Sequence, residues 1–160
     1  MDKKTFINKV LECEQTLYNV SKSILINDSD CEDAVQDAIL KAFKKLNTLK
    51  NEEYFKTWLI RILMNECYKR KSKEKINIPY EDCINDLKPD STKDYSELYI
   101  AIRGLPKRIS ITVVLYYVEG YSINEIKEIL KVPSGTVKSR LSRGRKLLKT
   151  TLENMEVTYE

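Results

Sequence analysis

Apolar positions in the first part of the chain recur every three or four residues. Phe6, Val10, Leu17, Val20, Ile24 and Leu25 keep that rhythm. It puts one face of a helix against a core and predicts a first helix from Thr5 to Ile26. The stretch "DCEDAVQDAILKAFKKL" predicts a second, capped by Asp30, with Val35, Ile39, Ala42, Phe43 and Leu46 as its apolar stripe. A third, "YFKTWLIRILMNECYKRKSK", is apolar early and basic late, so one end belongs in a core and the other faces an anion. Trp58 repeats at the spacing of Phe55, Leu59 and Ile62, and it is expected to pack with them rather than offer a stacking platform.

The periodicity then lapses. "NIPYEDCINDLKPDSTKDYSEL" carries two prolines, many polar residues and the acids Glu81, Asp82, Asp86, Asp90, Asp94 and Glu97. That composition predicts a flexible acidic linker over 76–94 between a first domain, 1–75, and a second, 95–160. In the second domain "LPKRISITVVLYYVEG" is ambiguous, because Ile, Thr and Val favour a strand. Pro106 suits a first helical turn and Gly120 a helix end, and Ile109, Val113 and Tyr117 repeat every four residues. A helix is the expectation. Ser122 followed by Glu125 is a capping box that launches Ile123, Ile126, Ile129 and Leu130 as a buried stripe. Pro133 in "KVPSG" ends that helix, and a new one is predicted from Ser134. The fold class expected is all-α, in two small helical domains.

Charge changes the picture most at this last helix. Its Val137, Leu141, Leu148 and Leu152 share one side, with Gly144 among them, while Lys138, Ser139, Ser142, Arg143, Lys146 and Lys149 occupy the other. Between Lys131 and Lys149 there is no acid at all, although the net charge of the whole 160-residue chain is only +4. A short helix, a turn and a longer helix with a basic outer face is the sequence form of a helix-turn-helix. Lysine and arginine there neutralise phosphates, and arginine can grip a guanine edge with two hydrogen bonds. The alternative is a merely solvated basic face, and nucleic acid is favoured over it. Composition removes other chemistries: the chain has no histidine, which excludes Ser-His-Asp and Cys-His catalysis and His-containing zinc sites. The four cysteines show no C-x-x-C pair, as expected of reduced thiols. The N-terminus has no apolar signal core and "ITVVLYYV" is too short to span a bilayer, so a cytoplasmic protein is expected.

Three stretches resemble, in order, parts of the extracytoplasmic-function (ECF) sigma factors. "GTVKSRLSRGRKLL" is similar to the "GTVxSRLxRARxxL" pattern of their region 4, "DCEDAVQDAILKAFKKL" to region 2.2, and "FKTWLIRILMNECYKRKSK" to regions 2.3 and 2.4. The resemblance implies a non-catalytic subunit that binds core RNA polymerase through its β′ clamp helices and β flap and needs no cofactor. It implies that promoter DNA is recognised and melted at the −10 element by the first domain and read at the −35 element by the second. It also implies an anti-sigma factor, often membrane-anchored. By the same resemblance Asp33, Gln36 and Asp37 contact polymerase, and Asn65 receives a base flipped from the −10 duplex. Lys56, Arg61, Lys69 and Arg70 hold DNA beside it, and Lys138, Ser139, Arg140, Ser142, Arg143 and Lys146 meet the −35 element. Departures from the pattern are Lys138, a point charge where arginine is frequent, Ser142, small where some members carry a large side chain, and Gly144, where alanine is common. Other classes fit less well. A stand-alone helix-turn-helix regulator would leave the first half without a task, and a nucleic-acid enzyme would lack a carboxylate cluster on a basic surface for Mg²⁺.

Overall fold

A computed structural model describes residues 1–77 and 96–159, with side chains over 1–72 and 97–155. All secondary structure among the described residues is helical, and the chain divides into two compact units, Met1–Asp86 and Leu87–Glu160. Apart from its first two residues, which continue a helix, the expected linker lies outside the described residues, as does Cys83. No helix among the described residues is long and apolar enough to cross a membrane.

The first unit is a bundle of α1 (Lys3–Ile24), α2 (Asp28–Lys44) and α3 (Phe55–Asn77), each packed on the other two. Asp2 caps α1 by accepting from the Thr5 amide at 2.7 Å, and hydrogen bonding by Thr5, first its side chain and then its amide, holds the Asp2 carboxyl below the usual range. The helix stops two residues sooner than its apolar pattern predicts. Leu25 is extended, yet fully buried, so the hydrophobic rhythm continues through a turn of backbone that is no longer helical. Asn27, not Asp30, caps α2, accepting from the Ser29 amide at 2.8 Å, and Asp30 lies inside the first turn, where its charge still suits the helix dipole. Tyr18 donates to Asp28 at 2.8 Å and fastens the corner; burial pushes its phenol well above the ordinary range.

The stripe expected on α2 is rotated. Its buried line is Cys31, Ala34, Ala38 and Ala42, with Val35 and Ile39 half-buried beside it and Phe43 45 % exposed. Small side chains let α2 approach its neighbours closely, and the larger apolar ones are displaced to the flanks. Phe43 still covers Phe6, at 5.3 Å between centroids, and Phe6 meets Phe55 edge-on at 5.7 Å. Trp58 touches Phe55 at 6.0 Å but is only half-buried, as is Ile62. The core face of α3 is instead Phe55, Leu59, Ile60, Leu63 and Cys67. Burial pushes the Cys67 thiol up to about 12 and raises that of Cys13, so both are inert, protonated packing groups.

The second unit contains α4 (Ser96–Arg103), α5 (Lys107–Val113), α6 (Ile123–Leu130) and α7 (Ser134–Tyr159). Ile102, Leu105, Ile109, Val113 and Val114 form its core, with Leu98, Leu147 and Leu148 packed against them. The ambiguous Ile-Thr-Val stretch is helical, but not α-helical throughout. Beyond Val113 it widens into a π-helical turn over Val114–Val118, and the Glu119 amide reaches back to Val114 at 3.0 Å. Gly120, at φ 74°, ends it, allowing the Tyr121 amide to close on Leu115 at 2.9 Å.

Candidate functional site

On α2, Asp33, Gln36 and Asp37 are all exposed. Asp33 and Gln36 point outward, whereas Asp37 sits on the flank facing α3 and pairs with Arg70. One turn along, Lys41 donates to Glu66 at 2.7 Å, and Glu66 is buried. The two pairs obey one antiparallel register: an acid and a base four apart on α2 face a base and an acid four apart on α3. This couples the expected polymerase surface to the expected DNA surface through Asp37 and Arg70. Sequence reasoning missed both pairs. The alternation of Asp37 and Lys41 against Glu66 and Arg70 is a visible signal, but only after the helices are known to run antiparallel.

Arg61, Asn65 and Lys69 are exposed and spaced four apart, so they form a continuous ridge along the outside of α3. Arg70 adjoins the ridge but is turned into the seam with α2, where its Nε is buried with no partner among the described residues. Lys56 does not join them. It lies half-buried in the first turn of α3, about 140° round the helix from Arg61 at roughly 100° per residue. Ahead of α3 the chain makes two short 3₁₀ turns, Leu46–Thr48 and Glu52–Tyr54, the second capped by Asn51, which accepts from Glu53 at 3.0 Å.

In the second unit the capping box is present in both directions: the Ser122 amide donates to Glu125 at 2.8 Å and the Glu125 amide to Ser122 Oγ at 3.1 Å. The turn after α6 depends on Lys131 adopting the left-handed conformation, φ 55° and ψ 49°, so that α7 can start at Ser134. Val137, Leu141 and Gly144 face the core. A Cβ on Gly144 would stand 2.5 Å from a Val113 methyl, so α5 and α7 meet there with no room for a side chain. Lys138, Ser139, Arg143 and Lys146 are exposed on the far side. Ser142 is half-buried, which reduces its reach into a groove, and Arg140 is half-buried on the edge toward α5. Ser139 Oγ donates to the Thr136 carbonyl at 3.0 Å, leaving it lone pairs rather than a proton for an outside partner. On the opposite edge Arg145 donates to the Tyr117 hydroxyl at 2.8 Å.

These two units match two family descriptions in order: Sigma-70 region 2 over residues 10–76 and Sigma-70, region 4 over residues 95–148. The RNA polymerase sigma factor SigV of Bacillus subtilis is 31 % identical, the alignment covering 98 % of this chain and 96 % of that one. The chain belongs to the ECF sigma factors. A second relative, the ECF RNA polymerase sigma factor SigW of Bacillus subtilis, is 28 % identical across 96 % of this chain and 92 % of its own. The sigma factor RpoE of Bartonella quintana, solved in complex with the anti-sigma factor NepR, shares the fold with a TM-score of 0.77 at 24 % identity, over 94 % of this chain and 98 % of that one. Sigma factors are non-catalytic subunits that bind core RNA polymerase and direct promoter recognition and transcription initiation, and this sigma factor has that function. Its two exposed basic surfaces, the α3 ridge and the outer face of α7, fall one in each matched region.

Proposed function

We propose that the two units divide the promoter between them. Residues 1–75 bind core polymerase and open the −10 element, 76–94 tether the halves, and 95–160 read the −35 element. Asp33, Gln36 and Asp37 contact the β′ clamp helices, and the second unit engages the β flap. Asn65 takes the flipped base, since its amide offers a donor and an acceptor to an exposed base edge. Arg61, Lys69 and Arg70 hold the neighbouring backbone, and Lys56, further round α3, helps form the pocket. In the −35 groove Arg143 is the principal base reader, and Lys138, Ser139, Arg140, Ser142 and Lys146 surround it.

The observation that carries this reading is the outer face of α7 over 134–149, which bears bases and no acid, presented behind a capped α6 and a fixed turn. Run-off transcription by purified core polymerase, with and without the chain, tests it. Specific initiation is expected only when the chain is added, and identical transcripts without it would end the proposal. Asn65→Ala should leave polymerase binding intact while impairing strand opening; permanganate reactivity of the −10 thymines at the parent level would reassign the base pocket. For the polymerase contact, Asp33→Lys is the cleaner reversal. Asp37→Lys would also set a cation against Arg70.

The chain is proposed to work in the cytoplasm, without catalytic activity of its own, and to be held inactive by an anti-sigma factor. Support for the last point comes from the RpoE likeness, because RpoE was solved with such a partner bound.

A further inference from the structure

We propose that the cleft between the start of α5 and the outer face of α7 is an additional DNA contact, gripping a backbone phosphate at the rim of the −35 groove. This rests on the reading of α7 as the groove-binding helix. The cleft has a volume of about 730 Å³ and is lined by Lys107, Arg108, Arg140 and Arg143, with Pro106 and Ile109 at its wall. Among the described residues, four cations and no acid line this one space. The guanidinium groups of Arg108, Arg140 and Arg143 have no partner among the described residues, so their donors are available to a ligand.

Geometry selects a phosphate over a base edge. At roughly 100° per residue, Ser139, Arg143 and Lys146 lie within about 60° of one another on the side of α7 opposite its core. Arg140 lies about 60° beyond Arg143, toward α5, and Lys107 and Arg108 stand further in that direction on a different helix. An α-helix about 10–12 Å across fills a major groove about 12 Å wide. Side chains off its outward line therefore meet the groove wall, which is phosphate and sugar. Two or more guanidinium forks converging on one phosphate give short, charge-assisted bonds with defined geometry and no preference among bases. Arg143 sits at the junction, one side toward the groove and the other toward the cleft. The contact would fix the register of α7 along the duplex.

The test uses holoenzyme assembled from core polymerase and the full chain, bound to promoter duplex in the cold, before strand opening. Parent, the double variant Lys107→Ala/Arg108→Ala and Arg143→Ala are compared across a salt series on wild-type and altered −35 sequences. The double variant should bind several-fold more weakly by the same factor on both sequences. Its slope of log affinity against log salt should fall by about 0.9 for each phosphate that the variant no longer neutralises. Replacing phosphates one at a time by neutral methylphosphonate should reveal a position flanking the −35 element where parent and double variant bind alike. Both residues are exposed, and an unchanged melting temperature would verify folding. An unchanged salt slope, a weakening that depends on the −35 sequence, or equal methylphosphonate effects on both proteins at every position would overturn the cleft contact. If Arg143→Ala abolishes −35 discrimination while the double variant behaves as parent, only the cleft proposal falls. If Arg143→Ala also discriminates as parent does, the groove reading falls with it.

Discussion

In the N-terminal bundle the charges along the seam of α2 and α3 are matched: Arg70 meets Asp37, and Lys41 meets a buried Glu66. In the C-terminal unit Arg108, Arg140 and Arg143 meet no carboxylate among the described residues. The two halves also close over different contacts. The bundle lays a line of alanines, Ala34, Ala38 and Ala42, against its neighbours, while α5 and α7 pack through larger side chains and come close at Gly144. Charge in the first half therefore contributes partly to the fold itself. In the second, Arg108, Arg140 and Arg143 stand apart from the packing and are left for something outside the molecule.

Overpacking the glycine is the severest way to probe this contrast. Gly144→Leu should cost about 3 kcal/mol, because Val113 and Ile109 already occupy the space and Val113 is stiff at χ1. Denaturant melting of the second unit would report it, and a stability equal to the parent's would mean the contact is looser than described. Next comes the matched charge. Lys41→Met should cost about 2 kcal/mol by stranding the Glu66 carboxylate, and Glu66→Gln distinctly less, because Lys41 can turn to water. Equal destabilisation by the two would refute the asymmetry. For the unmatched charge, Arg143→Ala should weaken promoter binding about tenfold, within the 1–3 kcal/mol of a good base contact, with no change in melting temperature. A drop in stability there would break the comparison. Smallest of all, Lys131→Gly should stabilise the second unit by about 0.5–1 kcal/mol, because glycine occupies the left-handed region without steric cost. A neutral or negative result would show that glycine's added freedom when unfolded cancels that gain.

Much of the fold could be read from spacing alone. The capping box of Ser122 and Glu125, the stop at Pro133 and the helical reading of Ile109 to Val118 all rest on local rules, and the structure follows them. Other features depend on tertiary contact. Leu25 extends the apolar rhythm of α1 although the backbone has already turned, because a buried corner needs apolar residues as much as a helix does. Asn27 and Asp30 can both cap, and only packing decides where α2 begins. The alanine line on α2 was hidden by the larger residues next to it, which dominate any hydrophobic pattern. The candidate surfaces divide in the same way. The exposed ridge of Arg61, Asn65 and Lys69 follows from helical geometry, whereas the engagement of Asp37 with Arg70 and the convergence of Lys107 and Arg108 on α7 join residues more than thirty positions apart.

The interlock of Gly144 with Val113 has a bearing on redesign. It lies on the core side of its helix, away from exposed Ser139, Arg143 and Lys146, so those outward side chains can be exchanged while the seat of the helix stays the same.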